Sequence, residues 1–294
     1  MTKITEIKSL KYWFTLGLLG LVWGSSFILI KKGLTVYSPY QVGAIRLGVS
    51  ALVFLPFFLL QARRVDWSKW KWLLLVGLCG SGIPAFLFPI AQMHISSSVS
   101  GVLNSLTPLF TLLLGLMFFG RKFRLMKLVG VFIGLVGATV LILAGNASEL
   151  QGSNMWFSLV AVLATICYGT SVNTVGSHLS KLSSLTISAV SFVMIGFPAL
   201  LFLFTTDFVE VLTVNEQGYE AFFYVVLLAI AGTVLASLLF FQLVHWTNPV
   251  FASSVAYIIP LIAMGWGMMD GETLSVFHFI SAGMILYGLY LSRD

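Results

Sequence analysis

The chain has 294 residues, of which 59% are hydrophobic and only 9% are charged, and its mean hydropathy is +1.00. Soluble domains carry about 25% charged residues, and a soluble fold of this length could not keep so much apolar surface away from water. The composition therefore excludes an ordinary soluble protein and predicts a membrane protein. The net charge of +6 does not indicate nucleic acid binding, because the basic residues form short clusters between apolar runs.

Ten apolar runs follow one another along the chain, each near the length of about 20 residues that crosses a bilayer as a helix. They cover residues 12–31, 42–60, 72–92, 99–119, 124–144, 154–174, 184–204, 221–243, 250–270 and 275–292. The first run follows several lysines, as in a signal peptide, but it is too long and lacks a small-residue cleavage site, so we interpret it as an uncleaved span. Short polar links predict antiparallel neighbours, and the fold class predicted is an all-α membrane protein with ten transmembrane helices.

The basic residues orient these helices. With the N-terminus inside, thirteen of the sixteen Lys and Arg residues fall on the cytoplasmic side, whereas Lys31 and Lys32 fall outside and Arg46 lies near the end of a span. Cytoplasmic loops carry the excess of Lys and Arg in membrane proteins. The chain is therefore predicted to have both termini in the cytoplasm, N-in and C-in.

An internal repeat divides the chain. The stretch from Gly80 to Pro108 aligns without gaps with the stretch from Gly232 to Pro260, and WGSSF at Trp23–Phe27 corresponds to YGTSV at Tyr168–Val172. The predicted units are residues 1–146 (spans one to five) and 152–294 (spans six to ten). Five spans is an odd number, so the second unit enters the membrane upside down. Inverted repeats are typical of alternating-access carriers, whose substrate site lies near the midplane between the copies.

Several features together resemble the drug/metabolite transporter superfamily, and within it the bacterial EamA-type transporters. They are the WGSSF motif, Arg46 early in span two, the mid-span prolines Pro108 and Pro260, the Gly271–Glu272 pair after span nine, and the small-residue spans five and ten. The resemblance implies two inverted five-helix repeats around a central cavity, and often export of amino acids or other metabolites. One departure is Gly120–Arg121 after span four, where family members often carry a second Gly-Glu pair.

Candidate substrate-binding residues lie at equivalent positions of spans one and six and beside the two prolines. They are Trp23, Ser25, Ser26, Asn104, Tyr168, Thr170, Ser171, Asn173 and Tyr257. Aromatic walls with scattered neutral donors suit an amphipathic organic solute better than a bare ion. The alternative is that these hydroxyl and amide groups only join helices. Pro108 and Pro260 are predicted helix kinks that free backbone carbonyls to line the cavity, unless they serve packing alone.

Four further residues are candidates for a gate or an anion contact: Arg46, Gln92, His94 and His245. For the last three the alternative is a place in the headgroup belt, and for Arg46 it is a side chain that extends to the membrane surface. The glycines Gly130, Gly134 and Gly137 predict a closely packed helix face. That face could serve contact within the chain or formation of a homodimer.

The predicted function is transport of a small organic metabolite, amino acid-like or otherwise amphipathic, with export as the expected direction, by alternating access in the bacterial inner membrane. A passive channel or a lipid scramblase and an intramembrane enzyme stay open as alternatives, although no selectivity filter, nucleophile motif or metal-binding motif is visible. No cofactor, metal or nucleic acid is expected; the expected partners are the substrate and the lipid bilayer. Because no carboxylate lies deep in a span, facilitated diffusion or exchange is expected before proton coupling.

Overall fold

The computed structural model describes residues 2–120, 154–247 and 249–292, together with residues 126, 129, 130, 132–134, 136, 137, 139 and 140. Within these described residues all regular structure is helical. The α-helices are α1 Thr2–Gly33, α2 Pro39–Gln61, α3 Trp70–Gly77, α4 Ile83–Gln92, α5 Ser97–Asn104, α6 Thr107–Phe118, α7 Asn154–His178, α8 Ser184–Leu203, α9 Phe208–Val214, α10 Gly218–Leu227, α11 Ala236–Trp246, α12 Pro249–Ser253, α13 Ile259–Met269 and α14 Val276–Ser292.

The described helices coincide with the predicted apolar runs. Seven helical stretches among the described residues are long and apolar enough to cross a membrane, and two shorter apolar helices follow at Ile259–Met269 and Val276–Gly288. The predicted run at residues 124–144 lies mostly outside the described residues. Helix α9 was not predicted, because seven residues are too short for a span signal. It is held by Phe208, whose ring lies 5.9 Å from the ring of Tyr37.

Two long helices change their hydrogen-bonding pattern at corresponding places. A π-helical segment, Leu78–Gly82, joins α3 to α4, and another, Leu228–Leu235, joins α10 to α11. They contain the glycines Gly80 and Gly232, at which the two repeated stretches of the sequence begin. Insertions of this kind widen a helix locally and often occur at functional sites.

Both mid-span prolines lie at the start of a helix. Pro108 is the second residue of α6 and Pro260 the second residue of α13, where a missing N–H leaves no bond unmade. The Asn104 carbonyl, four residues before Pro108, accepts a 2.8 Å hydrogen bond from the Thr107 hydroxyl. The prolines therefore accompany a break in each helix, and the Asn104 carbonyl before the first break is satisfied locally.

Small residues let the helices approach closely. Helices α2 and α8 lie along each other, and a Cβ added to Gly196 would lie 2.5 Å from the Leu47 carbonyl oxygen. Similarly, Gly24 of α1 lies against α13, and Gly169 of α7 lies against the backbone of α6. Apolar lipid provides little drive for helix association, so close packing of this kind is a main source of stability in membranes.

The glycine face predicted on span five is covered within the chain. Gly134 contacts Leu109 of α6, and the backbone of residues 130 and 134 lies against Gly288 of α14. A Cβ on Gly137 would lie 2.8 Å from the Cβ of Met284, also in α14. This face therefore serves packing inside one molecule. Homodimer formation stays a prediction, and this glycine face does not support it.

Candidate functional site

A cavity lies where the interrupted helices meet. The cavity volume open to water-sized centres is about 100 Å³. Its walls come from α1, α2, α4, α7, α11, both π-helical segments and the breaks before α6 and α13. Six of the residues singled out from the sequence line it: Trp23, Ser26, Arg46, Asn104, Tyr168 and Ser171. Elements from both halves of the chain thus line one cavity.

Aromatic rings form much of its wall. Trp23 packs against Phe240 with the ring centroids 5.0 Å apart, and its Nε1–H donates a 2.9 Å hydrogen bond to the Gly232 carbonyl. On the other side, Tyr168 and Phe88 stack with their centroids 6.0 Å apart. Because the Trp23 donor is already satisfied, that side chain presents mainly its apolar ring to the cavity. Such surfaces bind the apolar part of a ligand.

Two serines approach the π-helical segments in corresponding contacts. A Cβ added to Gly232 would lie 2.7 Å from Ser26 Oγ, and a Cβ added to Gly80 would lie 2.6 Å from Ser171 Oγ. Neither position leaves room for a larger residue unless the serine moves. The contacts pair α1 with the second π-helical segment and α7 with the first, so residues that correspond in the sequence repeat make corresponding contacts.

Arg46 points into the cavity. It is only 7% exposed, and it lies about 10 Å along α2 from the start of the helix. Its Nε–H donates a 2.7 Å hydrogen bond to Thr233 Oγ1, and the guanidinium also meets the Tyr168 hydroxyl. The Arg46 side chain therefore lies in the cavity and does not extend along the helix towards its end.

Asn104 ends α5 at the edge of the cavity. Its side chain is buried, and its Oδ1 atom has no hydrogen-bond partner among the described residues. Buried polar atoms are nearly always paired in folded proteins. The amide of Asn104 is therefore available to a bound solute.

Other candidate residues lie away from the cavity. Ser25 accepts a 2.8 Å hydrogen bond from Trp266 Nε1, Thr170 donates to a carbonyl of its own helix, and the Asn173 amide donates to a carbonyl of α6. Ser25 and Asn173 thus join helices, which was the alternative interpretation of these residues. The Tyr257 side chain lies outside the described residues.

The three other candidate gate residues do not line the cavity either. Gln92 is at the end of α4 with both side-chain polar atoms buried and unpaired among the described residues. The exposed His94 ring stacks on Phe157 with centroids 3.6 Å apart, and His245 is near the end of α11. Their role as gates stays a prediction.

An ionic cluster that the sequence did not predict lies at one end of the bundle. The Glu272 carboxylate accepts hydrogen bonds from the backbone N–H and hydroxyl groups of Ser97 and Ser98 at the start of α5, and from Lys31 of α1 at 2.9 Å. Lys31 also pairs with Asp270 at 2.7 Å. Burial alone would raise the pKa of Glu272, but these donors hold it at about 2.

The sequence also missed Thr233 and the phenylalanines of the cavity wall. Thr233 directly follows Gly232, the repeat glycine of an otherwise apolar run, and this was the signal that could have found it. The phenylalanines gave no signal because apolar residues occur throughout every span. Among the described residues, no group of three or more His, Cys, Asp or Glu side chains could hold a metal ion.

Comparisons with known proteins agree with this architecture. The EamA-like transporter family matches residues 11–143 and again 155–293. The uncharacterized inner membrane transporter YedA of Escherichia coli K12 is 26% identical over 92% of this chain and 87% of its own length. An uncharacterized transporter of Archaeoglobus fulgidus is 24% identical over 96% of this chain and 98% of its own, and a probable amino-acid metabolite efflux pump of Salmonella typhimurium is 23% identical over 92% and 91%. One crystal structure superposes with a TM-score of 0.64 over 94% of both chains at 17% identity, which is a likeness of fold alone.

Proposed function

The chain belongs to the EamA-like transporter family, and on that premise we propose that it carries a small organic metabolite across the bacterial inner membrane by alternating access through the central cavity. The solute is amino acid-like or otherwise amphipathic, and the direction is export. The name of the Salmonella relative supports this substrate class and direction. The observation that carries the proposal is an aromatic-walled cavity, with a few polar groups, between the two halves of the chain.

The proposed architecture is ten transmembrane helices in two inverted five-helix repeats, residues 1–146 and 152–294, with both termini in the cytoplasm. Its support is a set of paired features. Each half has a π-helical segment and a helix that begins one residue before a proline. The described residues also contain just two with positive φ, Gly120 at +62° and Gly271 at +83°, which follow α6 and α13. Glycine adopts this conformation without a steric cost.

Alternating access follows from the two halves meeting at the cavity. In inverted-repeat carriers, one repeat moves against the other around a site that stays near the midplane. Here the cavity wall is formed by paired contacts between α1 and the second π-helical segment and between α7 and the first. Movement of one half against the other would therefore open the cavity first at one end and then at the other.

Counterflow in proteoliposomes tests this proposal. Purified protein is reconstituted with a panel of unlabelled amino acids and amphipathic organic solutes inside, and uptake of each labelled solute is measured. A carrier accelerates uptake when the same solute is present inside. A channel gives uptake that is independent of the internal solute, a scramblase moves lipid alone, and an enzyme alters the solute chemically; any of these results contradicts the proposal.

A matched pair of variants ties the flux to the cavity. Ser237 lines the cavity, whereas Ser180 is exposed after α7 and lies away from it. Ser237→Trp should fill the space and abolish counterflow, and Ser180→Trp should retain it at matched amounts of protein. Equal activity of both variants would show that the solute does not pass through this cavity.

A further inference from the structure

The charge on Arg46 is buried, and no described residue provides a counter-ion for it. Its partners among the described residues are two neutral hydroxyl groups, those of Thr233 and Tyr168. Hydroxyls can orient a guanidinium, but they do not neutralise it. A lone cation away from water is strongly disfavoured, and charges inside membrane proteins usually pair or mark a substrate path.

The distribution of acidic residues shows why none of the carboxylates that the structure describes fills this role. The sequence contains no Asp or Glu between Asp66 and Glu149, or between Glu149 and Asp207. The ionic cluster at the end of the bundle has its own cations, because Glu272 and Asp270 pair with lysines of α1. Asp207 accepts a 2.8 Å hydrogen bond from the Gln41 amide, near the start of α2. None of these carboxylates pairs with Arg46.

The contacts of Arg46 leave its outer edge available. The bond to Thr233 uses the Nε–H, and the two terminal amino groups carry the remaining four N–H donors in a planar fork. The Tyr168 hydroxyl is the other partner that the described residues provide for this guanidinium. A planar fork of this kind binds a carboxylate through two parallel hydrogen bonds.

We propose that the transported solute carries one carboxylate, which binds the Arg46 guanidinium, and an apolar body that lies against Trp23 and Phe240. The unpaired Oδ1 atom of Asn104 supplies a further hydrogen-bond acceptor. A single cation favours a monoanion over a doubly charged group such as phosphate. This inference rests on the proposed function, because it treats the cavity as the transport site.

Matched ligands test the charge directly on the wild-type protein. The probes are 3-phenylpropionate and its neutral amide, which have the same shape, with chloride as an inorganic anion, and binding is measured by calorimetry on purified protein. Charge-assisted hydrogen bonds predict that the carboxylate binds about 10- to 100-fold more tightly than the amide. Equal affinity for the two overturns the inference, and so does binding of chloride alone.

Variants then assign the preference to Arg46. Arg46→Gln should abolish the preference for the carboxylate, Arg46→Lys should keep part of it, and Arg63→Gln, a change of an exposed arginine after α2, should keep all of it. A preference that persists in Arg46→Gln overturns the assignment. Should Arg46→Gln not fold, Thr233→Val, which releases Nε and retains the charge, is expected to weaken carboxylate binding and leave amide binding unchanged; an unchanged ratio overturns the assignment equally.

Counterflow separates the two proposals. Exchange of the acid and the amide at equal rates and affinities leaves the transport proposal intact and overturns the anion site. Binding of the carboxylate at Arg46 without exchange supports the anion site and overturns transport. Exchange that favours the carboxylate in the wild type, but not in Arg46→Gln, supports both.

Discussion

The ionic cluster around Glu272 ties three elements together at one end of the bundle. The carboxylate lies in the segment between α13 and α14, and its five donors come from the start of α5 and from Lys31 of α1. Because α1 and α5 belong to the first half of the chain and Glu272 to the second, the proposed movement of one half against the other would separate these groups when the cavity opens at this end. Glu272→Gln keeps the shape of the side chain and removes its charge.

The pKa of Glu272 gives the expected size of the effect of Glu272→Gln. The pKa of Glu272 falls from an ordinary 4.5 to about 2, so its surroundings favour the ionised form by about 3 kcal/mol. The Glu272→Gln variant should lose most of this favourable free energy. The equilibrium between the closed and open arrangements should therefore shift roughly thirty- to hundredfold towards the open one. In the parent protein, the Glu272 carboxylate stabilises the closed arrangement above about pH 4.5. This stabilisation is lost as the pH falls towards 2, because the carboxylate becomes protonated.

Cysteine accessibility measures the shift. A single cysteine replaces Ser26 in a background without Cys79 and Cys167, and its reaction with a membrane-impermeant maleimide is followed from the side that the proposed topology places outside. Glu272→Gln should accelerate labelling by about the same factor. The control is Glu220→Gln, because the exposed Glu220 carboxylate accepts a 3.0 Å hydrogen bond from Tyr224 and, among the described residues, makes no hydrogen bond to the cluster. Unchanged labelling, or an equal increase in the control, would refute the reasoning.

Three other predictions concern the topology, the prolines and the aromatic wall of the cavity. A reporter fused after Asn215 should be active outside, and a cytoplasmic signal there would contradict the ten-span topology. Pro108→Ala and Pro260→Ala restore a backbone donor to each helix break, so they should leave the amount of protein near normal and slow counterflow; parent rates in both would contradict a role in transport. Trp23→Ala and Tyr168→Ala should weaken solute affinity about tenfold in the binding assay, because each removes a ring from the wall, and unchanged affinity would place the site elsewhere.

Helix positions could be predicted from the sequence because each span needs about 20 apolar residues, and composition records that directly. The internal form of the helices could not. The π-helical segment Leu228–Leu235 is as apolar as the helix on either side of it, and a change in hydrogen-bond pattern leaves hydropathy unaltered. Its one sequence mark is Gly232, a residue that also occurs wherever helices pack closely. The same holds for Gly80 in the other half.

The repeat predicted where along the helices the cavity lies, but not which face of each helix lines it. Ser26 and Ser171 occupy equivalent places and both line the cavity. Their preceding neighbours, Ser25 and Thr170, were predicted with them and point elsewhere, because successive residues of an α-helix differ in direction by about 100°. Asn173, two residues beyond Ser171, faces α6 for the same reason. A polar residue in a span thus indicates a need for a partner, and only the packing decides whether that partner is a helix or a solute.

Arg46 shows how an unpaired charge could couple binding to movement. On the proposed anion site, the empty cavity holds a cation that favours water around it, so closure that expels water is disfavoured. A bound carboxylate neutralises the cation and makes closure easier, and a ligand shifts a conformational equilibrium by its difference in affinity for the two states. The loaded protein would then change conformation more readily than the empty one, which favours exchange of solutes over one-way flux. Exchange of this kind needs no proton-carrying carboxylate inside the membrane, in keeping with a sequence whose Asp and Glu residues lie outside the predicted cores of the spans.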